Sequence, residues 1–203
     1  MKQPGTRKLF NYWDKLRGER TAPEREDIDP AAIRNLLRDT FILEVDRRRT
    51  LPVRVAGGRI SSLFMRELKA VPFPDLFQEE DQDSIRAIVE SVIDDPTAAI
   101  AGLRAGPSER ARLDLELILL PLRHRGKTHA RLLGAMTPAT TPGWLGLIES
   151  APLRLVSLRI IREENLRAIA VQPEPEPSVE TLPSPAPRGR DFTLRVVRGG
   201  LAG

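Results

Sequence analysis

The segment TFILEVDRRRTLPVRVAGGRISSLFMREL, residues 40–68, changes its hydrophobic period part-way along. Residues 40–46 are rich in β-branched and aromatic side chains, and apolar and polar residues alternate over residues 51–58. With the charged RRRT between them, these two runs predict a β-hairpin. Two glycines end the second strand, and the apolar residues of RISSLFMREL then recur at a helical spacing. The segment therefore predicts a strand–strand–helix unit.

The longest helical pattern comes after a proline-rich loop. VPFPDLF, residues 71–77, is interrupted twice by proline and predicts a loop. Over residues 79–94, apolar side chains recur at i, i+3, i+4 and i+7 from Ile85. The first turn of this pattern is acidic, which the helix dipole favours. We expect a long helix here that buries one face.

Strand patterns occupy the next part of the chain. Candidates lie at residues 98–106, 111–124 and 128–138, with 153–161 as the last. In the second of these, leucines alternate with arginine and acidic residues, as in a strand with one buried face. A hairpin, a helical insert and a later run of strands predict an α+β fold, in which one antiparallel sheet has helices over one face.

The N-terminal segment, residues 1–38, is predicted to be a helical arm. Leu9, Trp13 and Leu16 fall at i, i+4 and i+7 on one helix face, and Gly18 suits the end of this helix. That apolar face needs a cover, which is either the chain's own sheet or a second protomer. Because aromatic residues are favoured anchors at interfaces, these three are candidate interface residues.

A second N-terminal helix is predicted to begin at Asp29. Its side chain suits the N-cap, and Pro30 suits the first helical position, where a missing N–H removes no hydrogen bond. Ile33, Leu36 and Leu37 would form the buried stripe of this helix.

The character of the chain changes after residue 161. Residues 162–190 include QPEPEPSVETLPSPAPRGR, whose prolines and few large apolar residues predict a flexible linker. Residues 191–203 begin with the strand-like DFTLRVV. This tail is either a strand that adds to the sheet edge of this protein or a partner, or a disordered end. Residues 39–161 remain as the predicted core domain.

The residue types argue against catalysis. The absence of cysteine excludes disulfides, iron–sulfur clusters and cysteine nucleophiles. His124 and His129 flank a predicted turn, and no short motif joins them to Ser61 or Ser62, so neither an enzyme nor a metal site is expected. The glycine pair at 57–58 is either a sharp strand-to-helix turn or an anion cradle, but it lacks the spacing of a nucleotide-binding loop.

The charge distribution does not indicate nucleic-acid binding. The formal net charge is +4, and 32 basic residues are interleaved with 28 acidic ones. The segment that comes nearest to a basic cluster, residues 47–49, is either a solvated turn or a small phosphate-binding patch. No apolar run approaches the roughly 18 residues of a membrane span, and the N-terminus lacks an apolar export region, so a cytoplasmic location is expected.

Three separated blocks of sequence resemble a known family. The pattern YW..LRG.R..P.R.DIDP..I..LL occupies residues 12–37, F.LEV and R.AG.R...LF.REL fall within residues 41–68, and R.LG...P...P.WLG occupies residues 131–146. Together they resemble the stand-alone alphaproteobacterial PAS-like proteins of the PAS_5 family, over residues 9–161. Three positions depart from that pattern, where Thr, Gly and Trp are more usual: Gly58, Met65 and Phe77.

The resemblance implies a sensory fold and a regulatory role. It implies five strands in the spatial order 2-1-5-4-3 and a non-enzymatic function in bacterial signalling, exerted through protein partners and as a homodimer. PAS relatives that bind haem use a histidine on the helix beside the pocket, and light-sensing relatives use a cysteine. The predicted helix at residues 79–94 has no histidine and the chain has no cysteine, so both are disfavoured and no cofactor is evident.

A ligand-binding role is the alternative. A small apolar or organic ligand between sheet and helices would then be the signal, through its occupancy. The candidate wall residues are Phe41, Leu43, Phe64, Val89 and Leu133. The other interpretation of all five is a closed, packed core.

Overall fold

The computed structural model describes residues 1–94, 97–124 and 127–161. In this part of the chain the α-helices are α1 (Pro4–Arg17), α2 (Gly58–Leu63) and α3 (Glu79–Asp94). The strands are β1 (Thr40–Glu44), β2 (Val53–Ala56), β3 (Ala98–Gly106), β4 (Leu113–His124), β5 (Lys127–Pro138) and β6 (Ala151–Ile161). Short 3-10 turns lie at Arg25–Asp27, Leu37–Asp39, Phe73–Leu76 and Glu109–Ala111. The predicted linker, residues 162–190, and tail, residues 191–203, lie outside the described residues.

The strands of the described residues form one antiparallel, six-stranded sheet in the order β2-β1-β5-β4-β3-β6. The expected order 2-1-5-4-3 is present in its first five members, and the α+β class is confirmed. The expected number of five strands was wrong, because β6 pairs along the outer edge of β3, with Leu158 opposite Ala101. Without β6, the outward backbone groups of β3 would lack a strand partner.

The sheet is buried on both faces, so the fold has three layers. One cluster, here called the α3-side core, joins the sheet to α2, α3 and residues 71–77. The other, here called the α1-side core, joins the opposite face to α1. Along β4, Leu117 and Leu119 belong to the first cluster, and Ile118 and Leu120 belong to the second. The alternation follows from the two-residue period of a strand.

Helix α1 covers the face of the sheet opposite α3. Pro4 lies at its start, where a missing N–H removes no bond, and Gly18 ends it with a φ of 57°. Leu9 and Trp13 are fully buried in the α1-side core, and Leu16 is partly buried against it. Of the two covers considered for this face, the structure shows the chain's own sheet.

The predicted second helix is replaced by successive turns. Asp29 Oδ1 accepts from the Ala31 N–H at 2.9 Å, as an N-cap does, but residues 30–36 form turns rather than an α-helix. Ile33 is buried in the α1-side core, whereas Leu37 is 38% exposed. The capping signal is therefore present, and tertiary packing of residues 30–36 overrides continuation of the helix.

Helix α3 has the bounds that the sequence pattern predicts. Its first turn is acidic, and its apolar stripe, Ile85 to Val92, lies in the α3-side core. Among the described residues, no helix combines the length and the apolar character needed to cross a membrane.

Candidate functional site

Four of the five candidate pocket residues lie together. Phe41, Leu43, Phe64 and Val89 are buried in the α3-side core. Leu133 belongs to the α1-side core on the other face of the sheet, because the alternation of β5 points Leu132 toward α3 instead. The five residues therefore do not face one common space.

An aromatic cluster occupies the space between the sheet and residues 71–77. The rings of Phe41 and Phe73 stack with centroids 5.1 Å apart, and Phe77 meets Phe73 edge-on at 5.3 Å. Gly134, opposite Phe41 on β5, makes this possible, since a Cβ atom there would lie 2.2 Å from Phe41 Cζ. The sequence pattern does not distinguish Phe73, because the prolines around it indicate only a loop.

A surface cavity of about 310 Å³ lies on the α1 side of the sheet, near the start of the chain. Its lining includes residues 1–3 and parts of β3, β4 and β6. Glu116, only 7% exposed, forms one wall, and its carboxylate accepts from the backbone N–H groups of Lys2 and Gln3 at 2.8 and 2.6 Å. This carboxylate satisfies donors at the start of α1 that have no partner within the helix.

Residues 4–39, here called the N-terminal cap, are joined by side-chain hydrogen bonds. Trp13 Nε1 donates to the Pro121 carbonyl of β4 at 2.8 Å, and the Tyr12 hydroxyl accepts from the Asp29 N–H at 2.8 Å. The Arg20 guanidinium donates to Asp27 Oδ2 at 2.9 Å. These bonds give the two neighbouring aromatic residues different roles. Trp13 fills the α1-side core, whereas the Tyr12 hydroxyl connects α1 to the backbone at Asp29.

Further contacts hold the cap against the end of β4. The Arg123 N–H donates to the Pro23 carbonyl at 2.9 Å, and the Arg123 side chain lies 3.2 Å from a Glu24 carboxylate oxygen. His124 Nδ1 lies 3.3 Å from Glu26 Oε1. His124 is therefore beside a carboxylate of the cap, not beside the serines considered for catalysis.

The outer edge of β6 is only half covered by the described residues. The Gln78 N–H donates to the Leu153 carbonyl at 2.9 Å, and the Leu155 N–H donates to Asp81 Oδ2 at 2.7 Å. Beyond these contacts, residues 156–160, here called the open β6 edge, carry exposed Val156, Leu158 and Ile160. This exposure is not predictable from the sequence pattern, since the apolar run of residues 153–161 is also typical of a buried strand.

The model of the PAS_5 family, described as a PAS domain, matches residues 1–137. The chain belongs to the PAS_5 family. No curated protein matches the chain. The PAS_5 match covers the N-terminal cap, β1 to β4 and all of β5 except Pro138, and β6 lies beyond the matched residues. The resemblance to a PAS-like family drawn from the sequence blocks is thereby confirmed.

The glycine pair of this PAS_5 member forms a strand-to-helix turn. The Gly57 N–H donates to the Thr40 carbonyl at 2.8 Å, so it is occupied within the fold. A Cβ atom at Gly57 would lie 2.1 Å from the Leu37 carbonyl oxygen, whereas one at Gly58 would meet nothing within 4 Å. These contacts support the structural interpretation of the pair over the anion cradle.

Two departures from the PAS_5 pattern have a structural explanation. Met65 has a φ of 47°, in the left-handed region that favours glycine, which explains the Gly expected at this position. Phe77 is buried in the aromatic cluster, where a larger Trp would need more space. Phe77 belongs to the α3-side core, whereas the Met65 side chain is 52% exposed.

Ser62 and His124, the candidate catalytic side chains whose contacts the structure describes, each have a structural partner instead. Ser62 Oγ donates to the Gly58 carbonyl at 2.8 Å, as an ordinary helix serine does, and the His129 side chain lies outside the described part. Within residues 1–94, 97–124 and 127–161, no group of three or more histidine or acidic residues is placed to hold a metal ion.

An ion pair between the buried Asp39 and the partly buried Arg59 fixes the cap to the start of α2. Arg59 Nη1 lies 2.9 and 3.0 Å from the two carboxylate oxygens of Asp39. Burial raises the pKa of Asp39 above its ordinary value of 3.8, and the positive charges of Arg59 and Arg38 only partly oppose this. Asp39 lies between two blocks of the PAS_5 pattern, residues 12–37 and 41–68, and the ion pair connects it to Arg59 in the second block.

The raised pKa of Asp39 predicts a specific pH dependence of stability. The native state binds this proton more tightly than the unfolded state, so the contribution of Asp39 to the free energy of unfolding falls as pH rises from 3.8 through the raised pKa. Urea unfolding of wild type and Asp39→Asn across that range tests this. We expect the difference, wild type minus variant, to decrease with rising pH and then level off; an increase would contradict the assignment.

Proposed function

We propose that this protein is a cytoplasmic sensory or regulatory PAS-domain protein that acts in bacterial signalling by binding other proteins, without catalysis. The proposal rests on the observation that a chain matching the PAS_5 model has a sheet with an exposed apolar edge strand. The chain has no cysteine and α3 has no histidine, which supports a function without thiol photochemistry or a haem ligated from that helix.

The packing between sheet and helices favours a protein partner over a ligand in that space. Phe41, Phe73 and Phe77 fill the region beneath residues 71–77 with side chains, and their neighbours in the α3-side core are buried. A ligand would have to displace these rings and lose their contact energy, about 0.5–1.5 kcal/mol for each ring pair beyond area burial. Occupancy of this space by a small molecule is therefore the weaker alternative.

The proposal is tested by measuring what the purified full-length protein binds. Proteins retained by the immobilised chain, and not by the matrix alone, are identified, purified and titrated against it. We expect at least one protein to form a saturable complex with the chain. We also expect native mass spectrometry of the free chain to show no bound small molecule. A co-purifying ligand in native mass spectrometry, with no saturable protein complex, would overturn the proposal in favour of ligand sensing.

A further inference from the structure

The open β6 edge has little of the protection that edge strands usually carry: one charged residue, Arg159, and a register irregularity next to Val156. Val156, Leu158 and Ile160 are 55%, 46% and 43% exposed, and no lysine or proline interrupts them. Exposed edge strands commonly carry lysine, proline or inward charges that prevent pairing with another chain. Within the described residues, no segment pairs with the outer side of β6 beyond Leu155. The outer backbone groups of residues 156–160, which have no strand partner among the described residues, can therefore pair with another strand.

Two of the exposed side chains extend the α3-side core toward solvent. Leu158 lies opposite Ala101 and Ile160 lies opposite Ala99, and both alanines belong to that core. Directly opposite residues in an antiparallel pair project to the same face. Leu158 and Ile160 therefore form an apolar strip that continues the buried face to the edge of the sheet.

We propose that a second copy of this chain pairs with the open β6 edge, antiparallel, about a twofold axis at Leu158. In this register Leu158 lies opposite its symmetry mate, Val156 opposite Ile160, and Ser157 opposite Arg159. Apolar residues then face apolar residues, and no two like charges are opposed. The inference deepens the proposed function by naming one protein partner, and it rests on that function only for its biological meaning.

Neighbouring registers are less favourable. A twofold axis at Arg159 would place two guanidinium groups opposite each other, and like charges directly opposite destabilise a strand pair. An axis at Ser157 would extend the pairing to Leu155, whose N–H already donates to Asp81. An axis at Leu158 meets neither obstacle, and the isologous arrangement closes as a dimer rather than a fibre.

The contacts at Asp81 limit the length of this interface. Because Gln78 and Asp81 occupy the outer groups of Leu153 and Leu155, pairing is confined to residues 156–160 within the described strand. Five residues a side give an interface at the small end of the range for specific complexes. We therefore expect a reversible dimer whose population depends on protein concentration.

Cysteine cross-linking tests the register, because the natural chain has no cysteine. The Cβ atoms of two Leu158→Cys residues would lie about 4.5–5.5 Å apart across the twofold axis. The Cβ atoms of two Ile160→Cys residues would be four residues apart along the paired strands, roughly 13 Å, which is too far for a disulfide. We expect the Leu158→Cys full-length protein to oxidise to a dimer at least about tenfold faster than Ile160→Cys, given that geometric limit.

Two further variants provide the controls. Val55 lies on the other edge strand of the sheet and is 59% exposed, so Val55→Cys reports random collision and Val55→Lys reports the effect of a surface charge. Sedimentation over a concentration series should show a monomer–dimer equilibrium for wild type and Val55→Lys, and a monomer for Leu158→Lys. Equal oxidation of Leu158→Cys and Val55→Cys, or a monomeric wild type at all concentrations, would overturn the inference.

Failure of this inference is separable from failure of the proposed function. A monomeric wild type that still forms a saturable complex with a different protein would overturn the second-copy assignment and leave the regulatory function standing. If that complex were lost in Leu158→Lys, the open β6 edge would bind a strand of another protein instead. A wild type that dimerises as described but retains no other protein would support the inference.

Discussion

Replacing Trp13 with alanine is expected to lower the free energy of unfolding by about 3–5 kcal/mol, the range for truncation of large buried aromatic side chains. The ring is fully buried between α1 and the sheet, and it contacts the Arg17 guanidinium at 5.4 Å. The variant also leaves the Pro121 carbonyl without its 2.8 Å donor in a buried position. Urea unfolding followed by far-UV circular dichroism measures the change.

Trp144 provides the matched control. It is the other tryptophan of the chain and lies only partly buried, against the α3-side core. Trp144→Ala is therefore expected to lower the free energy of unfolding by less than half as much as Trp13→Ala. Comparable losses for the two variants would contradict the assignment of Trp13 as the residue that fixes the cap to the sheet.

Replacing Gly57 with alanine is expected to destabilise the protein by about 3 kcal/mol, at the upper end of the usual effect of an added core methyl group. The new Cβ atom would lie 2.1 Å from the Leu37 carbonyl oxygen and 2.5 Å from the Arg38 carbonyl oxygen. These are backbone atoms, so no side-chain rotation relieves the overlap. The junction of residues 37–39 with α2, including the Asp39–Arg59 pair, would have to shift.

The neighbouring Gly58→Ala separates this steric effect from a general effect of glycine replacement. Its Cβ atom would meet nothing within 4 Å, and the residue is the first of α2. Alanine there reduces the entropy of the unfolded chain, so we expect a change between zero and about 1 kcal/mol of stabilisation. Chemical unfolding of both variants measures the two changes in the free energy of unfolding. Equal destabilisation would mean that the close approach of Gly57 to the backbone of residues 37–38 does not cause the loss in Gly57→Ala.

Local sequence features predicted several elements at the correct residues. The acidic first turn and the apolar spacing from Ile85 located α3, and Gly18 marked the end of α1. The hairpin of β1 and β2 followed from two strand patterns around a charged turn. These signals succeed because helix periodicity, capping and strand alternation depend on consecutive residues.

The same local signals did not determine what each element contacts. The sequence showed a single apolar face on α1, but not whether its own sheet or another protomer covers it. The position of Leu133 relative to the other pocket candidates depends on the register of β5, which a change of one residue reverses. The capping signal at Asp29 is likewise real, but the packing of Ile33 decides the conformation of the residues after it.

The exposed side chains of β6 illustrate this limit most directly. LRLVSLRII, residues 153–161, predicts a strand by composition, and the structure has one. Its place beside β3, and therefore the exposure of Leu158, depends on residues some 55 positions earlier in the chain. The sequence by itself determined the strands and most of the helices, because those preferences are short-range, although it also predicted a helix after Asp29 where the structure has turns. Only the tertiary structure decided which faces are buried and which edge stays open, because pairing and packing join residues far apart in the chain.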